Sequence, residues 1–133
     1  MSQDHTEEQA AETLFADGRY SAEAYAFLLE ALGYARVQAS KERGHEVRHV
    51  TGCELLEGFR QLGLQRFGLL AKAVFNSWGI YSTSDIGNMV FRLIETGNLE
   101  KSERDKRSDF DDVFDFDEAL SKGYRIDVRH LKR

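Results

Sequence analysis

The amino-acid sequence predicts a mainly α-helical fold, a compact bundle of four to five helices. Apolar residues recur at intervals of three and four, the chain contains no proline, and its glycines fall where helix ends are expected. With 133 residues, of which 41% are hydrophobic, the chain is long enough to bury one core without disulfides or metal ions. We therefore expect a single domain.

The first predicted helix begins after Ser21, a favourable N-cap residue. Its core face is predicted to contain Tyr25, Leu28, Leu29 and Leu32. Gly33 is expected to end this helix in a left-handed conformation. The helical pattern then weakens over residues 34–50, and the sequence leaves two alternatives for that segment, a small β hairpin or a loop.

The second and third helices are predicted to form a helical hairpin. Thr51 and Glu54 have the spacing of a capping box, which predicts a helix start. The core face of the second helix is predicted to be Leu55, Leu56, Phe59, Leu62 and Phe67. Gly68 is expected to end it, and a third helix then runs to Gly79. The core face of the third helix is predicted to be Leu70, Ala71, Val74, Phe75 and Trp78.

The fourth helix has the clearest sequence pattern. Ser82 and Asp85 are spaced as another capping box, and Gly97 is expected to end the helix. Between them lies an apolar face with the helical repeat, consisting of Ile86, Met89, Val90, Leu93 and Ile94.

Charge divides the chain into three regions. Residues 1–18 carry five acids and no Lys or Arg, which predicts an acidic, flexible N-terminal arm. Residues 19–121 form the predicted helical domain. Residues 122–133 form a predicted basic tail. Eight of the ten residues from 100 to 109 are charged, so that stretch is expected to be a solvated loop.

An acidic aromatic segment, residues 109–118, follows this loop. It interleaves apolar and acidic side chains, with Phe110, Phe114 and Phe116 among Asp111, Asp112 and Asp115. One interpretation is that the aromatic rings pack on their own domain while the carboxylates face water. The alternative is that these six residues form a docking surface for a partner protein.

Several stretches resemble an uncharacterised bacterial protein family confined to Planctomycetes and Verrucomicrobia. The similarity is carried by residues 48–60, by Trp78-Gly79-Ile80, by Ser84-Asp85-Ile86-Gly87, and by the pairs Asp109-Phe110 and Asp115-Phe116. It extends from about Tyr20 to Leu120. The resemblance implies a bacterial origin and a single domain, and it assigns no catalytic residue.

The run from His45 to His49 matches the H-E-x-x-H pattern of zinc peptidases, in which two His one turn apart bind zinc and the Glu activates water. This pattern makes His45 and His49 candidate metal ligands and a zinc-dependent hydrolase a minor alternative. Zinc chemistry needs the motif inside a helix, yet Gly44 precedes it and the N-cap Thr51 follows it. We therefore favour a polar connection.

Other classes of function have weaker support in the sequence. The chain lacks nucleotide-binding loops, nucleophile elbows and long apolar runs, and its net charge is −5. A winged helix-turn-helix remains an alternative fold, with residues 82–96 as recognition helix and residues 99–116 as wing. Its acidic charge disfavours nucleic acid. The lone Cys53 and the polar N-terminus predict a cytoplasmic protein.

From these observations we predict a non-enzymatic protein-interaction or regulatory module that needs no cofactor. A protein partner is expected, and its identity is left open, as is the oligomeric state. The alternative function is a winged-helix nucleic-acid-binding regulator.

Overall fold

A computed structural model describes residues 18–100 and 106–121, and within those ranges every regular element is helical. The main elements are α1 (Ala22–Arg43), α2 (Gly52–Phe67), α3 (Ala71–Ser77), α4 (Thr83–Glu95) and the short α5 (Phe116–Ala119). Two 3₁₀ turns, Gly68–Leu70 and Arg107–Phe110, complete the fold. The prediction of a mainly helical bundle is confirmed. The predicted basic tail, and all but the last residue of the acidic arm, lie outside the described residues.

The first helix is twice as long as the sequence indicated. Ser21 caps it as predicted, but α1 continues through Gly33 and ends only at Arg43. Gly44 ends the helix because it adopts the left-handed conformation, with a φ of 76°. Residues 34–43 therefore continue α1 and are neither the hairpin nor the loop that the sequence predicted. Residues 44–50 form a loop.

The backbones of α1 and α2 approach closely at Gly58. A Cβ atom placed on Gly58 would lie 2.9 Å from the Cβ of Ala35 and 3.3 Å from the carbonyl oxygen of Ala31. Ala31, Ala35 and Ala39 repeat every four residues and are all buried. These small side chains recur with the helical period on both sides of Gly33. They let α1 pack closely against α2, and this packing favours a helix that continues past Gly33.

An aromatic cluster fills the space between α1, α2 and α3. The ring of Phe59 lies 4.9 Å from that of Phe27 and 4.8 Å from that of Phe75, measured between centroids. Gly63 gives Phe75 its room, since a Cβ at Gly63 would come within 2.5 Å of the Phe75 ring. These contacts pack α3 against α2, as the predicted hairpin requires.

The predicted core positions are buried or partly buried, with two exceptions. Leu70 is 68% exposed, because the 3₁₀ turn Gly68–Leu70 changes the direction of the chain before α3 begins. Leu29 is 45% exposed, because it lies on the face of α1 opposite Ala31 and Ala35. Both residues were predicted to lie in the core, and both predictions are wrong.

The fourth helix begins and ends close to the predicted positions. Its apolar face packs into the core, and Gly97 follows it with a φ of 80°. Only half of the expected capping box forms. The Ser82 hydroxyl accepts the Asp85 N–H at 3.4 Å, but the Asp85 carboxylate accepts the N–H of Tyr81 at 2.8 Å rather than that of Ser82.

Residues 106–121 attach to the helical body through Phe110. Phe110 is 1% exposed. A Cβ atom on Gly52 would lie 3.1 Å from its ring, and a Cβ atom on Gly87 would lie 2.5 Å from the Cβ atom of Phe110, so neither glycine leaves room for a side chain. The segment consists of a 3₁₀ turn and α5, so the ribbon that the winged-helix alternative required is not formed in its described part. No helix within the described ranges is long and apolar enough to cross a membrane.

The close approach of α1 and α2 at Gly58 predicts that alanine at Gly58 and alanine at Gly33 change the stability in opposite directions. We expect Gly58→Ala to lower the free energy of unfolding by about 1–2 kcal/mol, because the added methyl has no space. Gly33→Ala is the matched control. No atom lies within 4 Å of a Cβ at Gly33, so we expect a gain of up to about 1 kcal/mol from helix propensity.

Both variants are to be compared by urea unfolding of dilute protein. Equal effects of the same sign would contradict this account of the α1–α2 contact.

Candidate functional site

The zinc motif lies in the loop between α1 and α2. His45, Glu46 and His49 are all exposed, and the Nδ1 atom of His45 lies 3.0 Å from the carbonyl oxygen of its neighbour Glu46. The two histidines do not occupy one face of a helix, which is the geometry that the zinc hypothesis needs. In residues 18–100 and 106–121, no three His, Cys, Asp or Glu side chains gather as a metal site would require.

Cys53 lies in the first turn of α2 and is half-buried. The capping box around it forms as predicted. The Thr51 hydroxyl accepts the Glu54 N–H at 3.1 Å, and the Glu54 carboxylate accepts the Thr51 N–H at 2.8 Å. The Glu54 side chain also forms an ion pair with Arg43. These bonds tie the end of α1 to the start of α2 and hold the intervening loop at both ends.

A polar network lies around the first turn of α4. The Tyr20 hydroxyl donates to the Asp85 carboxylate at 2.6 Å and accepts from the Asn88 amide at 3.1 Å. Arg107 continues the network, since its Nε donates to the Asn88 side-chain oxygen at 2.8 Å. Because each of these groups has a partner, the network has the character of a structural junction between the chain before α1, α4 and the segment after it.

Arg107 makes three kinds of contact at this junction. Its guanidinium also donates to the Ser84 carbonyl oxygen at 2.8 Å and to the Asp111 carboxylate at 2.9 Å. The Ser84 hydroxyl donates to the same carboxylate. The hydrogen bond from Ser84 and the contact with Arg107 lower the pKa of Asp111 below its usual value.

Burial of the phenol, followed by its hydrogen bond to Asp85, raises the pKa of Tyr20 from 10 to about 12. Tyr20 is therefore a neutral hydroxyl group at physiological pH. A Tyr that acts as a base or nucleophile needs a lowered pKa, so this shift favours a structural role.

An uncharged strip runs along the solvent face of α1. At 3.6 residues per turn, seven positions fall within about 40° of one line along this face. We name them the outer row, and they are Ala22, Ala26, Leu29, Gly33, Val37, Ser40 and the C-cap Gly44. None of the seven is charged. Leu29 is 45% and Val37 52% exposed, and the charged residues that α1 presents to water, among them Glu23, Glu30 and Lys41, lie beside the row.

A groove of about 590 Å³ borders the second half of the outer row. Residues 33–41 of α1 form one wall and loop residues 44–47 form the other, so the groove includes Val37, Lys41 and His45. It is wide open to solvent, whereas small-molecule sites enclose most of their ligand. Its shape fits a segment of polypeptide better than a metabolite.

Arg36 lies at the edge of this groove. Its Nε is shielded from water and has no hydrogen-bond partner among the described residues. A second depression on its other side has a volume of about 50 Å³, enough for a few water molecules. Buried donors are nearly always paired, and either a water molecule in this depression or an acceptor from another molecule would satisfy Arg36.

The other exposed apolar residues form a smaller feature. Leu69 and Leu70 are 72% and 68% exposed in the turn between α2 and α3. They are an isolated pair in a three-residue 3₁₀ turn, and the charged Lys72 follows shortly after them. The outer row, by contrast, runs the length of α1 and borders a groove, so it is the stronger candidate for a binding surface.

The acidic aromatic segment is fixed to the domain by its rings. Phe110 and Phe116 are 1% and 4% exposed, and Phe114 is half-buried against the core. The carboxylates of Asp111, Asp112 and Asp115 face water. Burial of the two rings favours the interpretation in which the segment packs on its own body. A docking role for its exposed carboxylates stays a prediction.

The outer row escaped the sequence analysis because the predicted helix ended at Gly33. A helix from Ala22 to Arg43 places Leu29 and Val37 on the same face, eight residues apart. The signal that could have revealed it is the absence of charge from every third or fourth position starting at Ala22.

Comparison with known proteins gives no relative from which a function could be transferred. The chain matches no protein-family model, no curated protein and no solved structure. The resemblance to a bacterial family therefore stays a prediction, and the function must be argued from the surface itself.

The raised pKa of Tyr20 predicts a loss of stability at alkaline pH. Below pH 10 the phenol is neutral in both states, and between pH 10 and about 12 it ionises only in the unfolded chain. The stability that the neutral Tyr20 phenol contributes to the folded state is therefore lost as pH rises through that window. We expect Tyr20→Phe to be less stable than the wild type at neutral pH, and to lose less stability than the wild type between pH 10 and about 12.

Tyr81→Phe is the matched control, because Tyr81 is 65% exposed. Urea unfolding from pH 8 to 12 measures all three proteins. If the free energy of unfolding of Tyr20→Phe changed with pH in parallel with that of the wild type, the raised pKa of Tyr20 would be ruled out.

The burial of the aromatic rings predicts unequal costs of truncation. We expect Phe110→Ala to lower the free energy of unfolding by about 3–5 kcal/mol, the usual loss for a buried Phe, and Phe114→Ala to cost less. Thermal or urea unfolding provides the measurement. If Phe114→Ala proved the more costly variant, Phe110 would not be the anchor of the segment.

Proposed function

We propose that this chain is a non-enzymatic protein-interaction module whose binding surface is the outer row of α1. The observation that carries the proposal is the uncharged outer row, which places the exposed Leu29 and Val37 along the solvent side of a 22-residue helix. Large apolar residues exposed along one helix often mark an interaction site. Among residues 18–100 and 106–121, α2 covers Ala31 and Ala35 but Leu29 and Val37 stay exposed, which leaves this row for a partner.

The position of Gly33 supports the same proposal. A glycine inside a helix costs about 1 kcal/mol relative to alanine. Nothing within the described structure requires it, since no atom lies within 4 Å of a Cβ placed there. Its benefit would come from outside, where the missing side chain lets another backbone approach α1, much as Gly58 lets α2 approach from inside.

The nucleic-acid alternative has less support than protein binding. The proposed recognition helix α4 carries Arg92 as its only base, and the wing is not formed in the described residues. The proposed outer row also lacks the basic side chains that phosphate contacts need. Both features favour a protein partner.

Site-specific photo-crosslinking tests the proposal. A benzophenone amino acid replaces Val37 in the full-length chain, in the cell that produces it. We expect this position to crosslink to a polypeptide, because a bound partner would cover Val37. Leu70 is the matched control position, since it is also apolar and exposed but lies off the row.

Crosslinking at position 70 but not at position 37 would assign partner binding to the turn with Leu69 and Leu70 instead of the outer row. The absence of any crosslinked polypeptide at position 37, in a chain that folds normally, would overturn the proposed function.

A further inference from the structure

The outer row is symmetric about its central residue. The positions of any stripe along a helix are spaced symmetrically about its middle residue, and here the middle residue is Gly33. Particular to this chain is that Leu29 and Val37, the two large exposed apolar residues of α1, lie four residues before and four residues after Gly33. Gly33 also lies at the middle of α1, with eleven residues before it and ten after it. A row with this symmetry can match itself when a second identical helix lies against it in the opposite direction.

The residues that would face each other are compatible in size. In an antiparallel pair centred on Gly33, a residue before Gly33 faces the one equally far after it in the other copy. Leu29 then faces Val37, Ala26 faces Ser40, and Gly33 faces itself. The glycines let the two backbones approach at the crossing, and large apolar residues pair with each other on both sides of it.

One pair of charges favours the same arrangement, while Glu30, on the same side of α1 and nearer to the row, is paired with Arg66 of its own chain. Glu23 and Lys41 flank the row on the same side of α1, ten residues before and eight residues after Gly33. An antiparallel pair brings Glu23 of one copy beside Lys41 of the other, at both ends of the contact. The start of one α1, with the small side chains of Ala22 and Ala26, would then lie at the groove beside Lys41 of the other.

We infer that the occupant of the outer row is a second copy of this chain, with the two α1 helices antiparallel and crossing at Gly33. The inference rests on the proposed function, because it names the partner of the same surface. The contact is isologous and closes on itself, so it produces a dimer and no larger assembly. A single helix pair is a small interface, and we expect the dimer to dissociate on dilution.

Light scattering after size exclusion tests the stoichiometry. The 133-residue chain has a mass of 15.2 kDa, so we expect twice that mass at high concentration and a decrease towards 15.2 kDa over a dilution series. Val37→Glu and Leu29→Glu should be monomeric throughout, because each buries a charge in the contact. Leu70→Glu is the matched control and should dimerise like the wild type.

Disulfide trapping tests the orientation. In a Cys53→Ser background, Gly33→Cys should form a disulfide-linked dimer on mild oxidation, since the two copies of position 33 meet at the crossing. Ala22→Cys should not link to itself, because in the antiparallel pair the two copies of residue 22 lie about 33 Å apart along the helices, far beyond disulfide reach.

The outcomes separate this inference from the proposed function. A monomer at every concentration, a dimer that Val37→Glu leaves intact, or self-linking of Ala22→Cys in place of Gly33→Cys would each overturn the antiparallel dimer. A different polypeptide crosslinked at position 37 in the cell, together with a monomeric chain, would overturn the dimer and keep the protein-interaction function. Retained helical circular dichroism in Val37→Glu or Leu29→Glu shows that loss of dimer is not loss of fold.

Discussion

The close backbone contact between α1 and α2 is the constraint on which the other features of the domain depend. Gly58 lets α2 approach until it touches Ala31 and Ala35, and this distance sets the Phe27 ring against Phe59. The same contact places Ala31 and Ala35 on the inner face of α1. Leu29 and Val37, on the opposite side of α1, consequently face outward, and the candidate binding surface is a result of how the interior is packed.

Helix starts were predictable because their signals are local. Ser21, Thr51 and Ser82 all cap helices in the expected places, since each side chain accepts a backbone N–H within three residues. Helix ends were harder. Gly33 and Gly44 are equally suitable as stops, and the choice between them depends on the contact of Ala35 with Gly58, which lies 23 residues further along the chain.

The candidate site could not be derived from the sequence for the same reason. Leu29 looks like a core residue next to Leu28, and only the direction from which α2 approaches decides which of them faces water. The acidic aromatic segment shows the opposite case. Its alternation of rings and carboxylates correctly indicated one packed side, but whether the rings met their own domain depended on the space that Gly52 and Gly87 leave for Phe110.

Phe110 also affects how the chain acquires its structure. It contacts Gly87 and Gly52, which precede it by 23 and 58 residues. Because residue 110 follows α1, α2, α3 and α4 in the chain, we expect these helices to be synthesised before the ring can be inserted. During synthesis the apolar recess between α2 and α4 must then stay open to solvent or to chaperones until residue 110 leaves the ribosome.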